Sequence, residues 1–298
     1  MKILIIKLGA IGDVLRTTSL LPALKEKYQK LEIYWFTKKE SLYLLDNNKL
    51  IDKVVIYSQK NIDFLKNIFF DIVINLDEDF EACSLATKIS KKNLFGFYIK
   101  DSKITPTKGA KEYFDMSALG KKPQNDILKK KNKKTYQELM CQIIGLNPKS
   151  AYMRLDLRKE QKVFARDFKR RYNIEESYTL IGLNTGSGDR WPSKQYSIEN
   201  TALLAEQIYK KFKAKIILFG GKNEIQRNND IIAKARVPII NAGCGNDLLE
   251  FPALISICDL FITADTLGMH IAIALKRKII VLFGPTSANE IELYNLGI

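Results

Sequence analysis

A doubly wound α/β fold in two halves is predicted by three observations on the 298-residue chain. Strand-like apolar runs alternate with helical patterns in two separate series, a break at Leu146-Asn147-Pro148 divides the series, and the first strand of each half runs into a glycine-bearing turn. Parallel strands covered on both faces read as continuous apolar runs, and these do.

In the first half the strand-like runs are 3–6, 32–36, 53–57, 71–76 and 93–97, with helical patterns between them. Pro22 falls inside the first helical pattern, where it kinks the helix or restarts it near Ser19. The lysine-rich stretch that follows, with Pro106, Gly109, Gly120 and Pro123, reads as loop-rich, and a helix over 134–144 closes the half. A charged helix over 159–172 leads into the second series, with strands at 179–183, 215–219, 237–240, 260–263 and 278–283. The expected domains are 1–155 and 156–298, with a cleft between them.

Composition narrows the class. With 46% hydrophobic and 27% charged residues the chain is globular and long enough for two cores. No apolar run approaches the ~20 residues of a membrane span. The opening run is too short, and too interrupted by Lys2 and Lys7, for a secretory signal, so a cytoplasmic protein is expected. Cys83, Cys141, Cys244 and Cys258 are scattered without metal-ligand spacing and read as core-filling residues.

The net charge is +15 and uneven: between Lys88 and Lys134 stand 14 lysines against four acids. Such a stretch suits an anionic membrane surface or an acidic substrate. Nucleic acid is not expected, because arginine is absent from the stretch and aromatic residues are not regularly interleaved. For Lys129, Lys130, Lys131, Lys133 and Lys134 taken alone, a solvated lysine face is an equally good reading.

Four motifs carry chemistry. The first strand runs into Leu8-Gly9-Ala10-Ile11-Gly12-Asp13. Its glycines let the backbone approach a ligand, and Asp13 is placed at the start of a helix, where the dipole favours its ionised form. Standing alone, this aspartate reads best as a helix cap. The second motif runs Gly182-Leu183-Asn184-Thr185-Gly186-Ser187-Gly188-Asp189-Arg190-Trp191-Pro192-Ser193-Lys194. Its small residues expose backbone N–H groups, the hydroxyls of Thr185 and Ser187 can donate to phosphate oxygens, and Lys194 adds a mobile cation. It lacks the order of a Walker A loop. The third is Gly220-Gly221 followed by Glu224, and the fourth is Ala264-Asp265-Thr266-Leu267-Gly268-Met269-His270, with Gly284-Pro285-Thr286 after the next strand. His270 is the chain's only histidine. A nearby lysine and a helix dipole can replace a metal in stabilising an anion, so no metal is expected.

Together these four motifs, in this order, resemble glycosyltransferase family 9, the ADP-heptose:lipopolysaccharide heptosyltransferases. The resemblance spans both halves and is poor in the lysine-rich stretch. It implies a GT-B fold, two Rossmann-like domains with parallel sheets facing a central cleft, the N-terminal one on the acceptor side and the C-terminal one binding the nucleotide sugar. It further implies an inverting, metal-independent glycosyltransferase with no cofactor, working on an ADP-sugar donor and an acidic glycolipid or glycan acceptor at the inner face of the membrane. On the matching positions Asp13 resembles the catalytic base and Lys194 the ligand of the donor phosphate. Gly9 and Gly12 form the first loop, and Thr185, Gly186 and Ser187 lie in the phosphate loop. Glu224 is similar to the carboxylate on the nucleotide ribose, and Asp265, Thr266, Leu267, Gly268 and His270 occupy the turn on donor sugar and phosphate. Leu267 and Gly268 stand where the family commonly has Gly and Pro, and Tyr196 stands where a tryptophan is common. A closing helix returning to the N-terminal domain is expected to be missing. A sugar-nucleotide epimerase of the same fold, or an idle nucleotide-binding protein of envelope assembly, are the alternatives.

Overall fold

The structure is a computed structural model that describes residues 1–187, 192–284 and 286–298. Gly188, Asp189, Arg190 and Trp191 of the second motif, and Pro285 of the last turn, lie outside the described residues. The chain divides into two compact units: Met1–Leu155 with Ser287–Glu292, and Asp156–Thr286 with Leu293–Ile298.

The first unit is built on β1 (Lys2–Ile6), β2 (Glu32–Thr37), β3 (Lys53–Ile56), β4 (Phe70–Asn75), β5 (Lys91–Lys100) and β6 (Lys103–Pro106), ordered β3-β2-β1-β4-β5-β6. All neighbours are parallel except the β5–β6 pair. β1 is central, and its side chains alternate between two cores. Ile3 and Ile5 pack with Leu20, Leu24, Trp35 and Ile143, whereas Leu4 and Ile6 pack with Phe36, Phe70, Val73 and Leu85. Burial on both faces is what made the run read as continuously apolar. The helical pattern holding Pro22 is two helices, Ile11–Thr17 and Leu20–Lys27, with Ser19 between them and Pro22 in the first turn of the second, where its missing N–H costs nothing.

The lysine-rich stretch is more ordered than expected. β5 runs through ten residues and returns as β6 through Asp101-Ser102, both at positive φ, the backbone of a type I′ hairpin turn. Gly96 permits β5: at φ +95°, a Cβ there would lie 1.8 Å from Asn75 O. Helices Lys111–Met116 and Gln124–Lys131 follow. The first sets Tyr113, Phe114 and Met116 against the core, a spacing hidden among charged neighbours. Nor are all the lysines free. Lys134 Nζ donates to Glu112 and to Gln142, and Lys129 lies 3.9 Å from Glu290.

The second unit carries β7 (Leu180–Asn184), β8 (Lys215–Phe219), β9 (Ile239–Asn241), β10 (Leu260–Ala264) and β11 (Lys278–Leu282), all parallel in the order β11-β10-β7-β8-β9. In each unit the chain winds outward from its first strand in one direction and then in the other. The switch points are therefore the carboxyl ends of β1 and β4 in one unit and of β7 and β10 in the other, where open α/β sheets take ligands.

Candidate functional site

In the second unit a cleft of about 650 Å³ opens at the strand ends, within the size range of small-molecule sites. The turn after β7 contributes Gly186 and Ser187, the turn after β8 contributes Gly220, Gly221 and Glu224, and the start of helix Leu267–Ala274 contributes Thr266, Leu267 and Gly268. The first amides of a helix have no intrahelical acceptor, so this end supplies donors to an anion. Glu224 is buried and its Oε2 accepts from Gly221 N at 2.8 Å. Its carboxylate is thereby fixed on the cleft wall.

Four predicted residues stand elsewhere. The Thr185 hydroxyl turns into the fold, with its one proton within reach of two acceptors, Phe219 O at 2.9 Å and Asn228 Oδ1 at 2.6 Å, rather than facing a ligand. Lys194 is not the mobile cation expected from its motif. Its Nζ donates to Asp265 O at 2.9 Å and Oδ2 at 3.0 Å, with only 8% of the side chain exposed. Burial pushes the Asp265 carboxyl up, but the hydrogen bond and charge of Lys194, with the charge of His270, outweigh it and hold the group below its ordinary value. His270 is buried in the helix behind this turn and does not line the cleft. Asn184, which sequence reasoning passed over, ties the parts together: its Nδ2 donates to Thr263 Oγ1 and Thr266 Oγ1 at 2.9 and 3.3 Å.

In the first unit Asp13 lies in the first turn of helix Ile11–Thr17, half-buried, with Oδ1 3.0 Å from Arg16 Nη2. Gly12 precedes it in the same helix, and Gly9 is exposed in the loop before it. Asp77, just beyond β4, organises that loop. It accepts from Leu8 N and from Gly9 N at 3.2 Å, and its Oδ1 lies 2.8 Å from the buried Lys7 Nζ. Lys7 Nζ also donates to Leu76 O. Burial would lower the Lys7 ammonium, yet the Tyr136 phenol and the Asp77 and Asp13 carboxylates raise it well above its ordinary value. A Cβ on Gly9 would lie 2.9 Å from Asp77 Oδ1, which explains the glycine. The one signal for Asp77 in the sequence was a polar Asn-Leu-Asp ending an apolar strand.

Glu78 is a second acid missed from sequence. Its Oε1 is shielded from solvent and has no hydrogen-bond partner. Burial pushes the carboxyl above its ordinary value, helped by Asp77 and opposed by Ser117, Lys7 and Lys129. A carboxyl raised by folding adds stability while protonated and loses it as pH rises through the raised value. Glu78→Gln is therefore expected to melt higher than the parent at pH 7 and to converge with it as pH falls below about 4. Melting curves at the two pH values check this, and a lower Tm for the variant at pH 7 would contradict it.

Among the described residues, no cluster of three or more His, Cys, Asp or Glu has metal-binding geometry. All four cysteines are buried and free, as expected of core residues.

The model of the family described as glycosyltransferase family 9 (heptosyltransferase) matches residues 60–296. The chain belongs to that family. The chain is similar to lipopolysaccharide heptosyltransferase 1 of Campylobacter coli, with 25% identity over an alignment of 309 positions that covers 96% of this chain and 84% of that protein. Among solved structures, the glycosyl transferase family 9 protein of Veillonella parvula DSM 2008 superposes with a TM-score of 0.83 at 20% identity, over 100% of this chain and 86% of that one. The E. coli ADP-heptose lps heptosyltransferase II superposes with a TM-score of 0.69 at 18% identity, over 100% and 89%. The two superpositions show the GT-B fold, and the family match shows a glycosyltransferase.

Proposed function

We propose that this glycosyltransferase moves a heptose-type sugar from an ADP-sugar to a lipopolysaccharide-type acceptor, with inversion at the anomeric carbon and without a metal. The observation that supports it most is the cleft of the second unit, where the turns after β7 and β8 and a helix start converge with Glu224. Glu224 accepts hydrogen bonds from the nucleotide ribose, while the amides of Gly186, Ser187 and Leu267 face the diphosphate. Asp13 takes the proton of an acceptor hydroxyl as that oxygen attacks the anomeric carbon from the face opposite the diphosphate. The new C–O bond forms as the bond to the diphosphate breaks, and the nucleoside diphosphate leaves with the electron pair. Lys194 and the helix start offset the charge that develops on the leaving group. In this reading the first unit takes the acceptor and the second the donor.

The relatives named for lipopolysaccharide and ADP-heptose support the choice of substrates. The lysines of 88–134 supply a positive surface for an acidic acceptor or an anionic membrane on the cytoplasmic side. Among the described residues, no helix is long and apolar enough to cross a membrane.

Incubating the protein with ADP-heptose and a heptose-deficient lipopolysaccharide acceptor tests the reading. Transfer supports it, whereas epimerised free sugar, or binding without turnover, would replace it. Turnover is expected to be unchanged in excess EDTA, because a buried lysine and backbone amides carry the leaving-group charge. Loss of activity in EDTA with recovery on added metal would overturn that part.

A further inference from the structure

Asp13 has a neighbour that none of the four motifs explains. The guanidinium carbon of Arg16 stands 3.7 Å from the centroid of the Tyr136 ring, and Nη2 holds Asp13 Oδ1 at 3.0 Å. The ring itself is braced. Thr17 Oγ1 donates its single proton to Asp13 O at 2.6 Å, so the Tyr136 hydroxyl, 2.7 Å away, must be the donor to Thr17. Tyr136 opens helix Tyr136–Ile144, which is closed by a capping box at Thr135 and Glu138 and by a left-handed Gly145. The platform under Arg16 is thus fixed at both ends.

Arg16 is poorly explained as a stabilising residue. Its side chain is 16% exposed against 37% for Asp13, and its buried Nε has no hydrogen-bond partner. Burying a cation with a donor unfilled costs more than burying an apolar chain of the same length. Arg16 is paired with Asp13 Oδ1, and among the described residues no hydrogen bond reaches Oδ2.

We infer that Arg16 is a positioning residue for Asp13, with Tyr136 as its platform: it fixes Oδ1 so that Oδ2 presents its lone pair to the acceptor hydroxyl. This rests on the reading of Asp13 as the base. A planar, stacked guanidinium can define the carboxylate plane, which a flexible ammonium cannot.

The test uses the full chain with Arg16→Met. Its Tm is expected to equal or exceed that of the parent, while kcat falls by about tenfold to a hundredfold, the scale of a small misplacement of a reacting group. The donor KM is expected to stay constant. Added guanidinium ion at low concentration should restore part of kcat to Arg16→Met and none to Asp13→Asn. Parental kcat in folded Arg16→Met would overturn the inference, as would a lowered kcat that comes with a lowered Tm and no response to guanidinium. Should Arg16→Met not fold, Arg16→Lys keeps the charge without the planar fork, and parental kcat there would overturn it equally. Parental turnover in Asp13→Asn would remove the underlying reading instead, whatever Arg16 does.

Discussion

Asp13→Asn is expected to bind the nucleotide-sugar donor with parental affinity and to turn it over about 10²–10⁴-fold more slowly. The amide keeps nearly the volume of the carboxylate but cannot accept the acceptor's proton. Loss of the charge also releases Arg16 from its ion pair, so part of the fall reflects geometry. Donor titration and steady-state kinetics on the same preparation separate the two effects. If activity fell only through a raised donor KM, Asp13 would be a binding residue.

The second large effect is expected at Lys194. Lys194→Ala should weaken ADP and the donor together, by about tenfold or more, because charge-assisted hydrogen bonds are the strong ones at such a site. The ammonium holds Asp265 O and Oδ2, and Asp265 adjoins Thr266 on the cleft wall. Its removal therefore also loosens the turn that starts the helix. Asp265→Asn distinguishes the routes. If Lys194 acts on the diphosphate directly, weakening its hold on residue 265 costs ADP affinity little, whereas a role through the turn makes both variants equally weak. Calorimetric titration with ADP reads this, and equal affinity of Lys194→Ala and parent would refute any role for Lys194 in donor binding.

The ten parallel strands were legible as apolar runs, most plainly the central ones, whose burial on two faces leaves Lys-Ile-Leu-Ile-Ile and Lys-Ile-Ile-Leu-Phe with no competing pattern. β6 was not, because Lys-Ile-Thr-Pro at a sheet edge has few buried side chains and its turn uses Asp-Ser in place of the usual Asn-Gly. The same logic divides the site. Gly186, Ser187, Glu224 and Thr266 follow directly on strands, where a turn motif places them without further knowledge. Asp77, Arg16 and Tyr136 gain meaning only through tertiary neighbours: Asp77 through the pairing of β4 beside β1, and Tyr136 through a hydroxyl contact with Thr17 across 119 positions of chain. Lys194 shows the limit from the other side. Its motif predicted a cation near the strand ends, but the partner that holds it was visible only in three dimensions.

The chain passes from one unit to the other three times, at Leu155–Asp156, at Thr286–Ser287 and at Glu292–Leu293. Ser287–Glu292 belongs with the first unit, where Asn289 donates to Asn132 O, and the last residues return to the second, where Val281 N donates to Ile298 O. Proteolytic nicking after Leu155 should consequently fail to yield two clean halves. The downstream fragment would carry a piece of the upstream fold inside it, flanked on both sides by its own sequence, and the two fragments would co-purify as a nicked whole.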